Sequence, residues 1–232
     1  MEVALVPIQE ILKKGVWHYQ PYSQAVREAE AILEQSPYPI CPLQEVVESV
    51  KRGFSPRGSH FLESGVPFIR QTNLKATQVN FSEVVYISQE DHQKLHQSEV
   101  QRGDVLVGLV AAAGPIDIAV YPSDQPANIN QNIARLRPLQ EALIPDYLVY
   151  YMRSTLGQTL LQSRLTGSVI RAISLRALIE LPIIHPSVGE QDHIIGRIRS
   201  LQRQVQQSVQ DAAVLQREAH QQFDRWLREG AA

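Results

Sequence analysis

Apolar positions along this chain change their period twice. Over residues 23–35, Ala25, Ala29, Ile32 and Leu33 fall near one face of a helix that Ser23 would cap. A shorter helix is predicted at 7–14. Pro37, Pro39 and Pro42 then exclude any helix, so a boundary falls there and residues 1–41 read as an N-terminal helical extension. From Leu43 to about Pro186 the signal is mixed. Short β-prone runs at 66–70, 84–87, 105–110 and 116–121 are separated by Gly, Pro and Asp, and helix-like stretches at 89–96, 146–161 and 174–179 are interleaved with them. This pattern predicts an α+β domain over 42–188, a small mixed sheet with helices.

The period changes again after Pro186. From 190 to 227 there is no proline, and the only glycine is Gly196, so one long helix is predicted over 189–230. Ile194, Ile198, Leu201, Val205, Ser208, Ala212, Leu215, Ala219, Gln222 and Trp226 follow one another at alternating intervals of four and three, which is a heptad seam. Such a coiled-coil stripe needs a partner helix. From Ile194 to Trp226 it spans roughly 50 Å at 1.5 Å per residue, longer than a small domain covers. Val209 and Phe223 widen the stripe, and the polar Ser208 and Gln222 weaken packing while fixing register.

Composition narrows the class. The 232 residues are 44% hydrophobic and 20% charged, ordinary for a globular protein, with no apolar run near the roughly 20 residues of a membrane span. Glu2 and Glu10 precede Lys13 and Lys14 in a start that lacks a secretory pattern, and Cys41 is alone, so neither a disulfide nor a cysteine metal site is expected. A cytoplasmic location follows as the default. The net charge of −2 is unusual for a free-standing DNA binder. Within 51–76, however, Lys51, Arg52, Arg57, Arg70 and Lys75 face Glu63 alone, a local surplus of four positive charges.

Several segments then match one family in order. The strand Gly65-Val66-Pro67-Phe68-Ile69-Arg70 with Asn73, the later Tyr86-Ile87-Ser88, and Arg102-Gly103-Asp104-Val105-Leu106-Val107 resemble the target-recognition domains of type I restriction-modification specificity subunits. So do Asn128-Ile129-Asn130-Gln131-Asn132-Ile133, Tyr147-Leu148 with Tyr150-Tyr151 and Gly157-Gln158, and the closing Gly167-Ser168, Ile173-Ser174, Leu181-Pro182-Ile183 and Glu190-Gln191. The resemblance covers about residues 43–230. It implies a chain without catalysis of its own that reads double-stranded DNA for adenine methyltransferase subunits, with or without a restriction subunit. Full-length members carry two recognition domains and two spacer helices, so one of each resembles a half-subunit. By symmetry, a homodimer would then address a bipartite, palindromic site. The turn Ser168-Val169-Ile170-Arg171 departs from the family's usual Gln- or Lys-rich pattern.

The remaining chemistry agrees with a reader. There is no methyltransferase Asn/Asp-Pro-Pro-aromatic tetrapeptide, no Gly-x-Gly-x-x-Gly loop and no nuclease-type acidic constellation, so no cofactor, metal or catalytic residue is expected. His92 and His96 form an i, i+4 pair, read as helix-surface histidines. For DNA, Lys51, Arg52, Ser55, Arg57 and His60 lie on a Gly-rich segment, with arginines able to bridge guanine O6 and N7; a solvated turn is the alternative. Arg70, Gln71, Asn73 and Lys75 form a second polar strand end, where Gln71 or Asn73 could pair with adenine or Asn73 could cap a turn. Arg164, Ser168 and Arg171 around Gly167 are candidates for phosphate, or plain surface charge. Asp104 reads as turn chemistry, and Asn128, Asn130 and Asn132 as one strand face with buried side-chain hydrogen bonds. The alternative from another class is a coiled-coil adaptor whose α+β domain binds protein.

Overall fold

The computed structural model describes residues 23–56, 61–111, 114–167 and 170–230. The helix expected at 7–14 lies outside them. The chain divides into two compact units, Met1–Val188 and Gly189–Ala232.

Helix α1 (Gln24–Glu34) starts at Ser23, whose extended backbone and side-chain oxygen, accepting from Val26 N, cap it. Strand β1 (Ile40–Pro42), a 3-10 turn (Leu43–Glu45) and β2 (Val47–Arg52) follow. Next come β3 (Val66–Ile69), a 3-10 turn (Gln71–Leu74), β4 (Val85–Ile87), α2 (Gln89–Lys94), a 3-10 turn (His96–Ser98) and β5 (Glu99–Val100). The middle of the chain forms β6 (Val105–Gly108), β7 (Val110–Ala111), β8 (Ile118–Val120), β9 (Ala127–Ile129) and β10 (Ile133–Pro138). It closes with α3 (Pro145–Arg153), α4 (Thr155–Gln162), β11 (Arg171–Ala172), α5 (Leu175–Ile179), β12 (Pro182–Ile184) and the long α6 (Val188–Glu229).

Two four-stranded sheets build the first unit. One has the order β2-β10-β6-β8, antiparallel throughout. The other has the order β4-β3-β9-β5 and contains one parallel pair, β3 with β9. The main core draws Ile69, Val100, Ala127 and Ile129 from the second sheet and Leu106, Ala119 and Ile133 from the first, all fully buried together with Leu74 and Tyr121. Helix α3 packs on β8 and β6. A smaller core of Val66, Phe68 and Ile87 is joined by the half-buried Val85 and Leu95. Coverage on both faces explains why β3 and β6 read as continuous apolar runs without alternation.

Two expectations change on contact with this fold. Residues 23–41 do not stand apart as an extension: α1 packs on α4, burying Val26, Ala29 and Leu33, and β1 pairs with β12 from Ile40↔Ile184 to Pro42↔Pro182. The single helix expected at 146–161 is two, because Ser154 is extended (φ −63°, ψ 163°). Its Oγ caps α4 by accepting from Gly157 N at 3.1 Å while donating to Tyr151 O at 2.7 Å. Tyr147 and Tyr151 of α3 donate to Ile184 O and Pro182 O, each at 2.8 Å, and so hold β12 in place. Burial raises the pKa of both phenols, that of Tyr151 to about 12.

Candidate nucleic-acid interface

Five strand ends meet at one turn, Asn130-Gln131-Asn132, between β9 and β10. Ile133 N donates to Asn130 O at 3.1 Å and Asn132 N to Asn130 Oδ1 at 3.2 Å, which closes the turn on itself. Asn130 N also donates to Ile69 O at the end of β3, and Leu109 N beyond β6 donates to Asn132 O at 2.7 Å. From β2 the chain runs across the same place, with Gly53 N donating to Ile133 O and Phe54 N to Ile129 O, both at 3.0 Å. A β-carbon on Gly53 would lie 2.2 Å from Asn130 O, so only glycine permits this approach. The β7–β11 pair attaches through Ile173 N to Leu109 O at 2.9 Å.

Of the side chains singled out from the sequence, two reach this turn, one from the end of β2 and one just beyond it. Arg52 donates through Nε to Gln131 O at 2.6 Å, and the Ser55 hydroxyl donates to Gln131 Oε1. Lys51 and Arg52 end a strand, paired with Arg135 and Ala134, rather than lying in a free loop, and both are exposed. Phe54 beside them is 51% exposed, and a groove of about 510 Å3 runs between Phe54, Ser55 and Pro56 on one side and Asp91, Lys94, Leu95 and Gln97 on the other. Arg57, His60 and Ser168 lie outside the described residues.

The second group divides. Lys75 is exposed, though its Nζ sits 2.9 Å from Asp117 Oδ2, which offsets its charge. Arg70 is half-buried and donates to Glu83 O at 3.0 Å. Gln71 is turned inward: its Nε2 donates to Val110 O at 2.6 Å and its side chain packs against Gly108. Asn73, expected as a base reader or a cap, is buried, accepting from Arg70 N at 2.9 Å and donating to Asn80 O at 3.2 Å. Asn73 thus caps its turn, the second of its two expected roles, and Gln71, half-buried, has its amide nitrogen engaged within the fold. Arg164 is half-buried at the end of α4, where Nη1 donates to Leu160 O at 2.7 Å, and burial lowers its pKa. Arg171 is half-buried in β11, opposite Ala111.

Three buried polar clusters were only partly legible. Asp104, 1% exposed, accepts Gln101 N at 2.9 Å and both Nε and Nη2 of Arg137, at 2.8 and 2.9 Å, and the Arg137 pKa is raised chiefly by this hydrogen bonding. Arg135 donates to Glu99 O and Ser49 Oγ, its pKa lowered by burial. His92 is not a surface histidine: it is buried, with Nδ1 at 2.6 Å from Asn128 Oδ1. Asn128 Nδ2 donates to Leu95 O and Ser98 Oγ, so its Oδ1 accepts and His92 Nδ1 carries the proton. Asn128 is in β9 and Asn130 and Asn132 are in the turn, so the three do not share one strand face. Gln131 at the tip of that turn carries no signal of its own in the sequence beyond the alternation of polar side chains with Ile129 and Ile133. Among the described residues no group of three or more His, Cys, Asp or Glu is placed to hold a metal ion, and no helix is long and apolar enough to cross a membrane.

The first unit is a two-sheet α+β domain with polar strand ends gathered at one turn, and the second is a long helix exposed over most of its length. The chain belongs to the Type I restriction modification DNA specificity domain family, which it matches over residues 36–211. It is 27% identical over 140 residues to the type I restriction enzyme EcoBI specificity subunit of Escherichia coli, covering 60% of this chain and 29% of that protein. With the MjaVIII specificity subunit of Methanocaldococcus jannaschii it shares 23% over 197 residues, 84% of this chain and 45% of that one. The chain thus spans less than half the length of these relatives. In fold it is similar to the HsdS subunit of Thermoanaerobacter tengcongensis, with a TM-score of 0.58 at 20% identity, covering 97% of this chain and 55% of that one. A chain from a structural study of complex assembly and conformational transition of the type I R-M system gives a TM-score of 0.61 with the same identity and coverage.

Proposed function

We propose that this chain reads a DNA sequence on behalf of adenine methyltransferase subunits, performing no chemistry itself. Two copies, paired through α6, would address a bipartite palindromic target. The observation that carries the reading is the family match over 36–211, joined to a turn where exposed Arg52, Ser55 and Gln131 converge, with exposed Lys51 next to Arg52 in the chain. Exposed donors at strand ends suit the edges of base pairs, and the basic groups suit phosphate. The helix supports the pairing: from Leu201 onward every seam position is exposed, including Leu201, Val205, Ala212, Leu215, Ala219 and Trp226. Ile194 and Ile198 at its start are half-buried. A second copy presents the same heptad phase and is the occupant with a matching seam.

The test is purification of the chain with an adenine methyltransferase subunit of a type I system, followed by mapping of methylated adenines in DNA exposed to the complex. A bipartite motif is the expected result. Methylation without sequence preference, or failure of any complex to form, overturns the reading.

A further inference from the structure

The turn that gathers the five strand ends presents one exposed side chain outward, in contact with Ser55. Gln131 is exposed, yet its backbone is held from several directions: Arg52 Nε donates to its carbonyl at 2.6 Å, and its neighbours Asn130 and Asn132 bond to Ile69 O and Leu109 N. Gly53 passes beneath Asn130 so closely that the turn cannot slide. The side chain is oriented as well, because the Ser55 hydroxyl donates to Oε1. That bond takes one of the two lone pairs on Oε1 and leaves Nε2 without a partner among the described residues. What faces outward is one amide acceptor beside one amide donor. This is the pair that matches N6–H and N7 of adenine in the major groove, whereas guanine offers two acceptors at the same edge.

Resting on the DNA-reading function proposed above, we infer that Gln131 is a specificity-determining residue, held by Ser55 and Arg52, that reads an adenine in each half-site. Oε1 accepts from adenine N6–H with its second lone pair while Nε2 donates to N7. Ser55 is a positioning residue that acts through Gln131 and touches no base in this arrangement. An exposed glutamine not held in this way would lose rotamer freedom on binding and discriminate less.

The experiment is selection from a pool of randomised DNA duplexes, using the full chain alone and in complex with a methyltransferase subunit. The bound sequences are read for the wild type, Gln131→Glu and Ser55→Ala. The wild type is expected to enrich a motif with adenine at a position that responds to Gln131. Gln131→Glu turns the donor into a second acceptor, so that position should lose roughly 5- to 150-fold of its adenine preference and move toward cytosine, whose N4 donates. Ser55→Ala should weaken the preference at the same position and leave the others intact. A Gln131→Glu motif identical to wild type overturns the assignment, as does a uniform loss at every position, which would make Gln131 a support for the interface. If the wild type enriches no motif, the DNA-reading function itself falls. Thermal unfolding of both variants, expected to match wild type because both side chains are exposed, separates reading from folding.

Discussion

At Gly53 a single missing β-carbon permits the chain leaving β2 to cross the β9–β10 turn. Alanine there would place its methyl 2.2 Å from Asn130 O and 2.3 Å from Ile129 O, backbone atoms that cannot rotate away. Gly53→Ala should therefore cost about 1–3 kcal/mol, as overpacking does, and should loosen Gln131; urea denaturation reads the first effect. A second residue-scale effect appears at high pH. Tyr151 is buried, and its hydroxyl, bonded to Pro182 O, is pushed from 10.0 up to about 12. The folded state then holds this proton more tightly than the unfolded chain. Its contribution is complete below pH 10 and is lost as pH rises through about 12, on the order of 2–3 kcal/mol. Tyr147, raised in the same direction by burial, adds to the slope. Denaturation midpoints measured between pH 8 and 12 should fall, and should fall less steeply in Tyr151→Phe; equal slopes would contradict the assignment.

Elements were legible in the sequence where one periodicity dominated and less so where tertiary contacts decided. The strands around Phe68, Val85, Leu106 and Ala119 and the helix from Val188 onward follow from apolar runs and heptads. Strand β2 was missed because its burial is irregular, and Lys51 and Arg52 at its end have the composition of a loop. Which polar side chains point inward was the least legible feature. Gln71 looks like a surface residue, and only the approach of Val110 gives it an internal partner, whereas Asn73 and Arg164 bond to groups near in sequence, Arg70 and Asn80 for the first and Leu160 for the second. Gln131 was hard to single out for the converse reason, since its partners Arg52 and Ser55 are 79 and 76 residues away. The α3–α4 break depends on a local device that reads as mid-helix in one dimension. Ser154 stops one helix and starts the next, so Ser154→Ala should destabilise the unit by about 1–2 kcal/mol. Calorimetry checks this, and Ser154→Asp, which retains a capping oxygen, should recover most of the loss.

For the whole molecule, the decisive feature is the helix of 42 residues, whose apolar seam continues where no burial within the chain covers it. Leu201 is 60% exposed and Leu215 is 65% exposed, values that a coiled-coil partner would bring close to zero. At 1.5 Å per residue α6 is roughly 60 Å long. In the function proposed above, a symmetric pair of such helices is the spacer between two half-sites. The seam includes polar Ser208, whose Oγ bonds back to Gln204 O at 3.0 Å, and the exposed Trp226 toward its end, with exposed Phe223 beside it. Polar groups inside an apolar seam favour one register over its neighbours, consistent with a spacer of defined length. Replacing Leu201 and Leu215 together with Asp would set uncompensated carboxylates in the paired helices, at a cost of several kcal/mol, without touching either sheet. The wild-type chain should therefore sediment as a dimer and the double variant as a monomer with unchanged β-sheet circular dichroism. The variant should also lose its preference for two half-sites over one. A wild type that is monomeric at tens of micromolar, or a double variant that still dimerises, would remove the paired-helix spacer from the proposed architecture.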